Sequence, residues 1–275
     1  MFPRESVEFY TQLMLNRIEE RKKSNERARD LLQLLVNAHQ TTLDEEAQRD
    51  LQGQTVQDKQ ALSQALTADE ILAESLTFMF AGYDTTSTVL SFLLYQLSQN
   101  QDIQDKLYQE INDATKEMLT KNEEIYERAT RLPYLDQCVQ ETLRMFPPAP
   151  RVDRVCKKDI NIDGIFIPKG TPVIIPIYLM HNDPDVWPDA DKFDPSRFEE
   201  EAKAKRDPLS HMPFGVGPRQ CIGMRLALLE IKLATINILK QFQLLPSQKP
   251  FEPDITFISR TKSGAWIRPE HRESE

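Results

Sequence analysis

The chain has 275 residues, 40% of them hydrophobic and 28% charged, which is enough apolar material for a buried core and argues against wholesale disorder. Eight glycines against eighteen prolines favour helices with frequent breaks over a collagen-like chain, a glycine-rich linker or an all-β repeat. A net charge of −9 makes the chain a poor nucleic-acid binder. Three cysteines (Cys138, Cys156, Cys221) without paired spacing are not a disulfide framework or a CxxC zinc site, and the four histidines lie too far apart in sequence to suggest a metal cluster.

Residues 1–50 contain no apolar run of signal-peptide or anchor length and open on an amphipathic pattern from Val7 to Met14. Helical periodicity predicts one helix from Ser6 to about Lys23. A second follows from Arg27 to Gln40, with Leu31, Leu32, Leu34, Leu35 and Val36 on its apolar face. Thr41 to Ala65 is polar and glutamine-rich and reads as a solvated connection. A long helix is predicted from Thr67 to Gln99, with Thr67 and Glu70 at capping-box spacing. Its stretch Leu76–Leu97 carries one charge, Asp84, so a membrane span competes with a buried helix. The buried helix is preferred, because Asp84 and the hydroxyls of Thr85, Thr86, Ser87 and Thr88 would fall where burial in lipid costs most.

Further helices are predicted at Ile103–Leu119, Glu124–Ala129 and Tyr134–Met145, the last stopped by Pro147-Pro148. Ile160–Ile162 and Ile165–Ile167 around Asp163-Gly164 form a hairpin signal, and Pro168–Gly170 turns into a strand over Thr171–Ile177. His181 to His211 is a Pro- and Asp-rich meander or loop. Ile222 to Phe242 reads as a final amphipathic helix, followed by short irregular or β segments. The fold class is therefore mainly α with a minor β part.

Four patterns carry chemistry. In Phe214-Gly215-Val216-Gly217-Pro218-Arg219-Gln220-Cys221-Ile222-Gly223, a cysteine sits where a glycine-rich loop enters a helix. Free N–H groups and the positive end of the dipole there favour a thiolate. Glycines admit a flat ligand closely, and Arg219 can pair with a carboxylate of it. Glu141 and Arg144 share a helix face, a pair that by itself is ordinary surface decoration. Phe193-Asp194-Pro195-Ser196-Arg197-Phe198 sets an arginine between aromatics. If Arg197 reaches Glu141, the carboxylate holds two guanidinium groups and pins the meander to the helix. Ala81-Gly82-Tyr83-Asp84-Thr85-Thr86 places an acid among hydroxyls in an apolar helix. The Thr85 hydroxyl can bond back to the Ala81 carbonyl and open a polar notch, or the stretch is a polar helix–helix contact; the residues alone leave both readings open.

Taken together in this order, the patterns resemble the cytochrome P450 family of haem-thiolate monooxygenases. The cysteine loop matches FxxGxRxCxG throughout. Arg154–Asp159 and Ile167–Gly170 resemble the microsomal, drug- and steroid-oxidising branch and its invertebrate relatives. The resemblance implies the C-terminal part of that fold. It makes residues 1–275 an incomplete P450 domain that opens at the family's helix G, with the N-terminal half and its membrane anchor absent.

By the family pattern, Cys221 is the haem iron ligand. Arg219 and Arg154 pair with the haem propionates. Phe214 shields the cysteine, and Gly215, Gly223 and Ala81 lie against the cofactor. Glu141, Arg144 and Arg197 form a structural triad, Asp84 and Thr85 deliver protons at the oxygen site, and Phe80, Pro148 and Ala149 face substrate. The implied partners are a hydrophobic small molecule, O2 and NADPH-cytochrome reductase. The implied location is the endoplasmic reticulum membrane, and no nucleic acid is expected. Two further readings remain beside the monooxygenase: a non-catalytic haem-binding or interaction fragment, and a helical membrane-associated scaffold built on Leu76–Leu97.

Overall fold

The computed structural model describes residues 3–23, 28, 30–37, 66–121, 129 and 131–272. The expected polar connection over 41–65, both ends of the second helix and nearly all of the helix expected at 124–129 lie outside these. The chain divides into two compact units, residues 1–83 and 84–275.

The first unit holds α1 (Arg4–Lys23), α2 (residues 31–37) and the opening turns of α3 (Ala68–Gln99). Its core is small: Ile18, Val36 and Ile71 are buried, with Leu32, Leu35 and Leu66 against them. The amphipathic opening of α1 is largely solvated, with Val7, Phe9 and Leu13 exposed and Arg4–Glu8 and Glu19–Lys23 pairing on the surface. The predicted capping box stands at the entrance of α3. The Thr67 amide donates to Glu70 Oε2 at 2.7 Å, and the Glu70 amide donates to Thr67 Oγ1 at 3.2 Å. These bonds hold the Glu70 carboxyl below its ordinary pKa.

At 32 residues α3 is about 48 Å long. It runs unbroken through the hydroxyl-rich stretch, where Ser87 Oγ bonds the Asp84 carbonyl and Ser91 Oγ bonds the Ser87 carbonyl, so these two serines are satisfied within the helix. No helix of the described residues is long and apolar enough to cross a membrane.

The second unit is a helical core with strand pairs at its margins. Val89, Phe92, Leu93 and Leu97 of α3 pack with Leu107 and Ile111 of α4 (Gln101–Lys121) and with Leu135, Cys138, Val139 and Leu143 of α5 (Pro133–Met145). Helix α5 begins at a proline, whose missing N–H is no loss at that position. The Glu110 carboxylate takes the next two amides, Tyr134 and Leu135, at 2.8 and 2.9 Å. Burial pushes the Cys138 thiol up, which marks it as a core side chain.

After Pro147-Pro148, β1 (Val152–Val155) pairs antiparallel with β4 (Pro172–Ile175). Between them lies the predicted hairpin of β2 (Ile160–Ile162) and β3 (Ile165–Ile167). Asp163 and Gly164 have φ of 50° and 86°, the left-handed pair that a two-residue hairpin turn demands. The predicted strand to Ile177 is shorter than expected, because Pro176 ends it and Ile177–His181 forms a short helix, α6.

The meander after α6 is ordered by 3-10 turns at Pro195–Phe198 and Pro208–Ser210 around α7 (Glu200–Ala204). The last helix, α8 (Met224–Gln241), is shorter at both ends than predicted. Phe242 opens β5 (Phe242–Pro246), which pairs with β8 (Ile267–His271); β6 (Pro253–Asp254) and β7 (Arg260–Thr261) make the remaining pair. Leu244 of β5 lies opposite Pro269, which has no N–H to give. Its own polar groups turn outward to Gln104 of α4: the Leu244 amide donates to Gln104 Oε1, and Gln104 Nε2 donates to the Leu244 carbonyl, each at 2.8 Å.

Candidate functional site

Two constructions stand out in the second unit: a loop that presents Cys221, and a buried ion-pair cluster at the end of α5.

The loop is shaped by glycines where the backbone requires them. Gly215 and Gly217 have φ of 71° and 80°, which L side chains rarely adopt. The Gly215 amide bonds the Met212 carbonyl at 3.0 Å, Gly217–Arg219 forms a 3-10 turn, and the Cys221 amide bonds the Phe214 carbonyl at 2.9 Å. Gly223 has an ordinary φ, and a Cβ built on it would stand 4.0 Å from Cys221 Sγ, a normal contact. Crowding inside this chain therefore does not require glycine there.

Cys221 is exposed, as is Arg219, and Phe214 is half-buried against the main core. The same segment carries exposed apolar side chains: Ile222 is 83% exposed, with Val216 and Leu226 also exposed. The expected helix-end position of Cys221 needs correction. Helix α8 starts at Met224 with Gly223 as its cap, so the cysteine stands a turn ahead of it, its own N–H already used. The dipole argument for a thiolate weakens accordingly. The donor set still fits a flat, largely apolar group bearing carboxylates: an accessible sulfur, exposed apolar side chains on the same segment and a guanidinium on the same loop.

The second construction brings together all three residues expected to form a triad. The side chains of Glu141 and Arg144 are both 0% exposed. Arg144 binds the carboxylate in a bidentate fork, Nε to Oε2 at 2.7 Å and Nη2 to Oε1 at 2.9 Å. It also donates to the carbonyls of His181 and Ala190 at 2.9 and 2.7 Å. The Asp194 amide donates to Glu141 Oε1 at 3.0 Å. Arg197 approaches the same oxygen at 3.5 Å as an ion pair, and its hydrogen bond goes to the Asp189 carbonyl. Burial pushes the Glu141 carboxyl above the usual carboxylate range, against the pull of Arg144, the Asp194 amide and Arg197.

Sequence reasoning missed the aromatic floor of this cluster. Trp187 is fully buried, with Arg206 3.9 Å above its ring and Arg144 at 5.4 Å. His181 and His211 stack at 4.9 Å. The signal was thin: one tryptophan and two histidines in a segment without periodicity.

The other expected site residues are scattered. Arg154 is exposed on β1, and its Nη1 bonds the neighbouring Asp153 carbonyl at 2.9 Å. Pro148 is buried, its carbonyl bonded by the Ser259 amide at 2.9 Å, and Ala149 is half-buried. Phe80 packs edge-on against Tyr10 of α1, with ring centroids 5.6 Å apart. Ala81 and Asp84 are exposed and Thr85 is half-buried. The expectation of a buried acid at Asp84 is thus not met in the described residues.

A family model described as Cytochrome P450 matches residues 5–267. Cytochrome P450 3A41 of Mus musculus is 41% identical over 250 residues, covering 90% of this chain and 46% of the relative. Cytochrome P450 3A2 of Rattus norvegicus is 44% identical over 251 residues, with the same coverage. Cytochrome P450 3A7 of Homo sapiens is 41% identical over 250 residues. The chain spans about half the length of the curated relatives it matches.

Proposed function

The chain belongs to the cytochrome P450 family, and on that premise we propose that it carries the thiolate-ligand part of a haem monooxygenase acting on a hydrophobic small molecule. The observation that carries this reading is the Cys221 loop: an exposed sulfur on a turn built by Gly215 and Gly217, in a segment that also carries exposed apolar side chains and Arg219.

In this reading Cys221 holds haem iron, Arg219 pairs with a propionate, and Phe214 screens the sulfur from water. Gly215 and Gly223 would border the group without adding side-chain bulk. When bound, the haem supplies oxygen activation and the transfer of one oxygen atom to substrate. The protein contributes position and protons. The fork between Arg144 and Glu141 holds the meander that leads to the loop. On α3, the Thr85 hydroxyl orders a water, and Asp84, being exposed, exchanges protons with solvent and passes them to that water. Arg154, Ala81, Phe80, Pro148 and Ala149 keep their proposed cofactor and substrate roles only as carry-overs from the family pattern. Electrons from NADPH-cytochrome reductase and a place on the endoplasmic reticulum membrane belong to the same proposal.

The test is haem reconstitution followed by the ferrous–CO spectrum of wild type and Cys221→Ser. The expected result is the red-shifted Soret band of a thiolate complex in wild type and its loss in the variant, because a serine hydroxyl stays protonated and donates weakly. Cys138→Ala and Cys156→Ala should keep the band. An identical band in Cys221→Ser would remove this residue from the role.

A further inference from the structure

The loop that carries Cys221 is tied to the floor of the ion-pair cluster by one of its histidine side chains. The Met212 amide donates to His181 Nε2 at 2.9 Å. Among the described residues, this is the hydrogen bond that joins Met212–Gly223 to a distant element. The other bonds of the segment close within it, Gly215 to Met212, Gln220 to Gly217 and Cys221 to Phe214, or run to the helix it feeds, Ala227 to Gly223 and Gln220 to Met224.

His181 is itself held. It ends α6, is 1% exposed, and stacks on His211. Its carbonyl accepts Arg144 Nη1 at 2.9 Å. A continuous path therefore runs from Glu141 through Arg144 and His181 to Met212, and from there along the loop backbone to Cys221. The Met212 bond needs Nε2 as an acceptor, so the proton of the neutral ring sits on Nδ1. Burial, with the Arg144 charge adding to it, brings the His181 pKa down to about 4, which leaves the imidazole neutral at physiological pH.

We propose that His181 is a positioning residue for the cysteine loop: as a neutral acceptor it sets the position of Met212, and through the loop backbone the presentation of the Cys221 sulfur. The role in ligand presentation rests on the reading of Cys221 as haem ligand; the anchoring of the loop does not.

The experiment has three readouts. In the wild-type chain, imidazole nitrogen chemical shifts report the tautomer. A bare Nε2 with a scalar coupling to the Met212 amide nitrogen is expected, and an Nε2-protonated ring would overturn the proposal. Next, His181→Phe keeps an aromatic ring against His211 but removes the acceptor, while His181→Gln returns an acceptor atom near the Nε2 position. Amide exchange at Met212 and Cys221 should rise about tenfold in His181→Phe, the equivalent of one hydrogen bond, and return towards wild type in His181→Gln, with Val139 of α5 unchanged in both. Equal exchange in all three proteins would overturn the anchor.

Finally, in haem-loaded protein the thiolate fraction of the ferrous–CO spectrum should fall in His181→Phe and recover in His181→Gln at equal haem content. Loop exchange that responds as expected, with a thiolate fraction that does not, would overturn the presentation role alone. If Cys221→Ser leaves the wild-type spectrum unchanged, the ligand reading fails, and the tautomer and exchange results still decide the anchor. The wild-type tautomer also decides the anchor should His181→Phe not fold.

Discussion

Thr85 is the residue whose proposed task can be separated most cleanly from folding. It lies within a helix, half-buried, and alanine there preserves the helix. Thr85→Ala removes the hydroxyl that orders the water of the proton path. In the haem-loaded enzyme supplied with reductase, NADPH consumption should continue while product per NADPH falls and hydrogen peroxide rises. Thr86→Ala, one step round the helix, should have the smaller effect. Equal coupling in wild type and Thr85→Ala would return this threonine to a packing role. At this scale the sequence pointed to candidates wherever a residue type is rare in its setting, as with a cysteine among glycines. It misled where burial was assumed, since Asp84 is exposed, and where a boundary was assumed, since Gly223 caps α8 and leaves Cys221 outside it.

At the scale of elements, α5 and the meander hold each other through buried charge. Glu141→Ala would leave Arg144 enclosed without its carboxylate and deprive Arg197 of its ion pair. Loss of one partner of such a pair costs roughly 3–5 kcal/mol, a large share of a domain's stability. The denaturation midpoint should fall accordingly, and an unchanged midpoint would show that the cluster tolerates the bare cations.

The stacked histidines beneath it add a dependence on pH. The pKa values of His181 and His211 are brought down to about 4 and about 3, first by burial, then by the nearby charges of Arg144 and, for His211, by His181 and Arg206. Glu141 and Arg197 complete the set of charges around this cluster. The unfolded chain therefore takes up these protons first. The stabilisation is complete above the unfolded value near 6.5 and is lost as pH falls from there through about 4. Urea midpoints measured between about pH 7 and 5 should drop in wild type and drop less in His211→Phe, which packs beside Phe198 without titrating. Parallel curves would show that the imidazoles are not the cause.

For the whole molecule, what was legible depended on whether the determinants are local. The capping box of α3, the Pro147-Pro148 stop and the Asp163-Gly164 turn each involve residues a few positions apart, and each was readable. The pairing of β5 with β8 was not, because Phe242–Pro246 follows directly on a helix and its partner, Ile267–His271, lies far along the chain without clear alternation. The triad became legible only through the order of several motifs, since Glu141 and Arg144 alone resemble any surface pair. His181, Trp187 and Arg206 had no pattern to expose them, because the meander is shaped by carbonyls and side chains reaching across it rather than by a repeating face.

The clasp between Gln104 and Leu244 has a consequence for colloidal behaviour. A strand paired on one side only offers its other side as a template for any extended segment that drifts near. On β5, two glutamines of α4 stand in for a neighbouring strand at that margin: Gln104 takes the Leu244 amide, and Gln104 and Gln101 both donate to its carbonyl. Gln104→Leu would keep the bulk of the side chain and leave the Leu244 amide without its acceptor, while Gln101 Nε2, also 2.8 Å from the Leu244 carbonyl, keeps that oxygen paired. A buried backbone amide left unpaired costs about 1–3 kcal/mol, and the carbonyl of a recruited strand could satisfy it. The variant should scatter light and bind an amyloid dye sooner than wild type at equal concentration and temperature, while Gln104→Glu, which keeps an acceptor for the Leu244 amide, should lie between the two. Identical aggregation times for all three would mean that the margin of β5 is shielded by its surroundings and that the glutamine serves the fold alone.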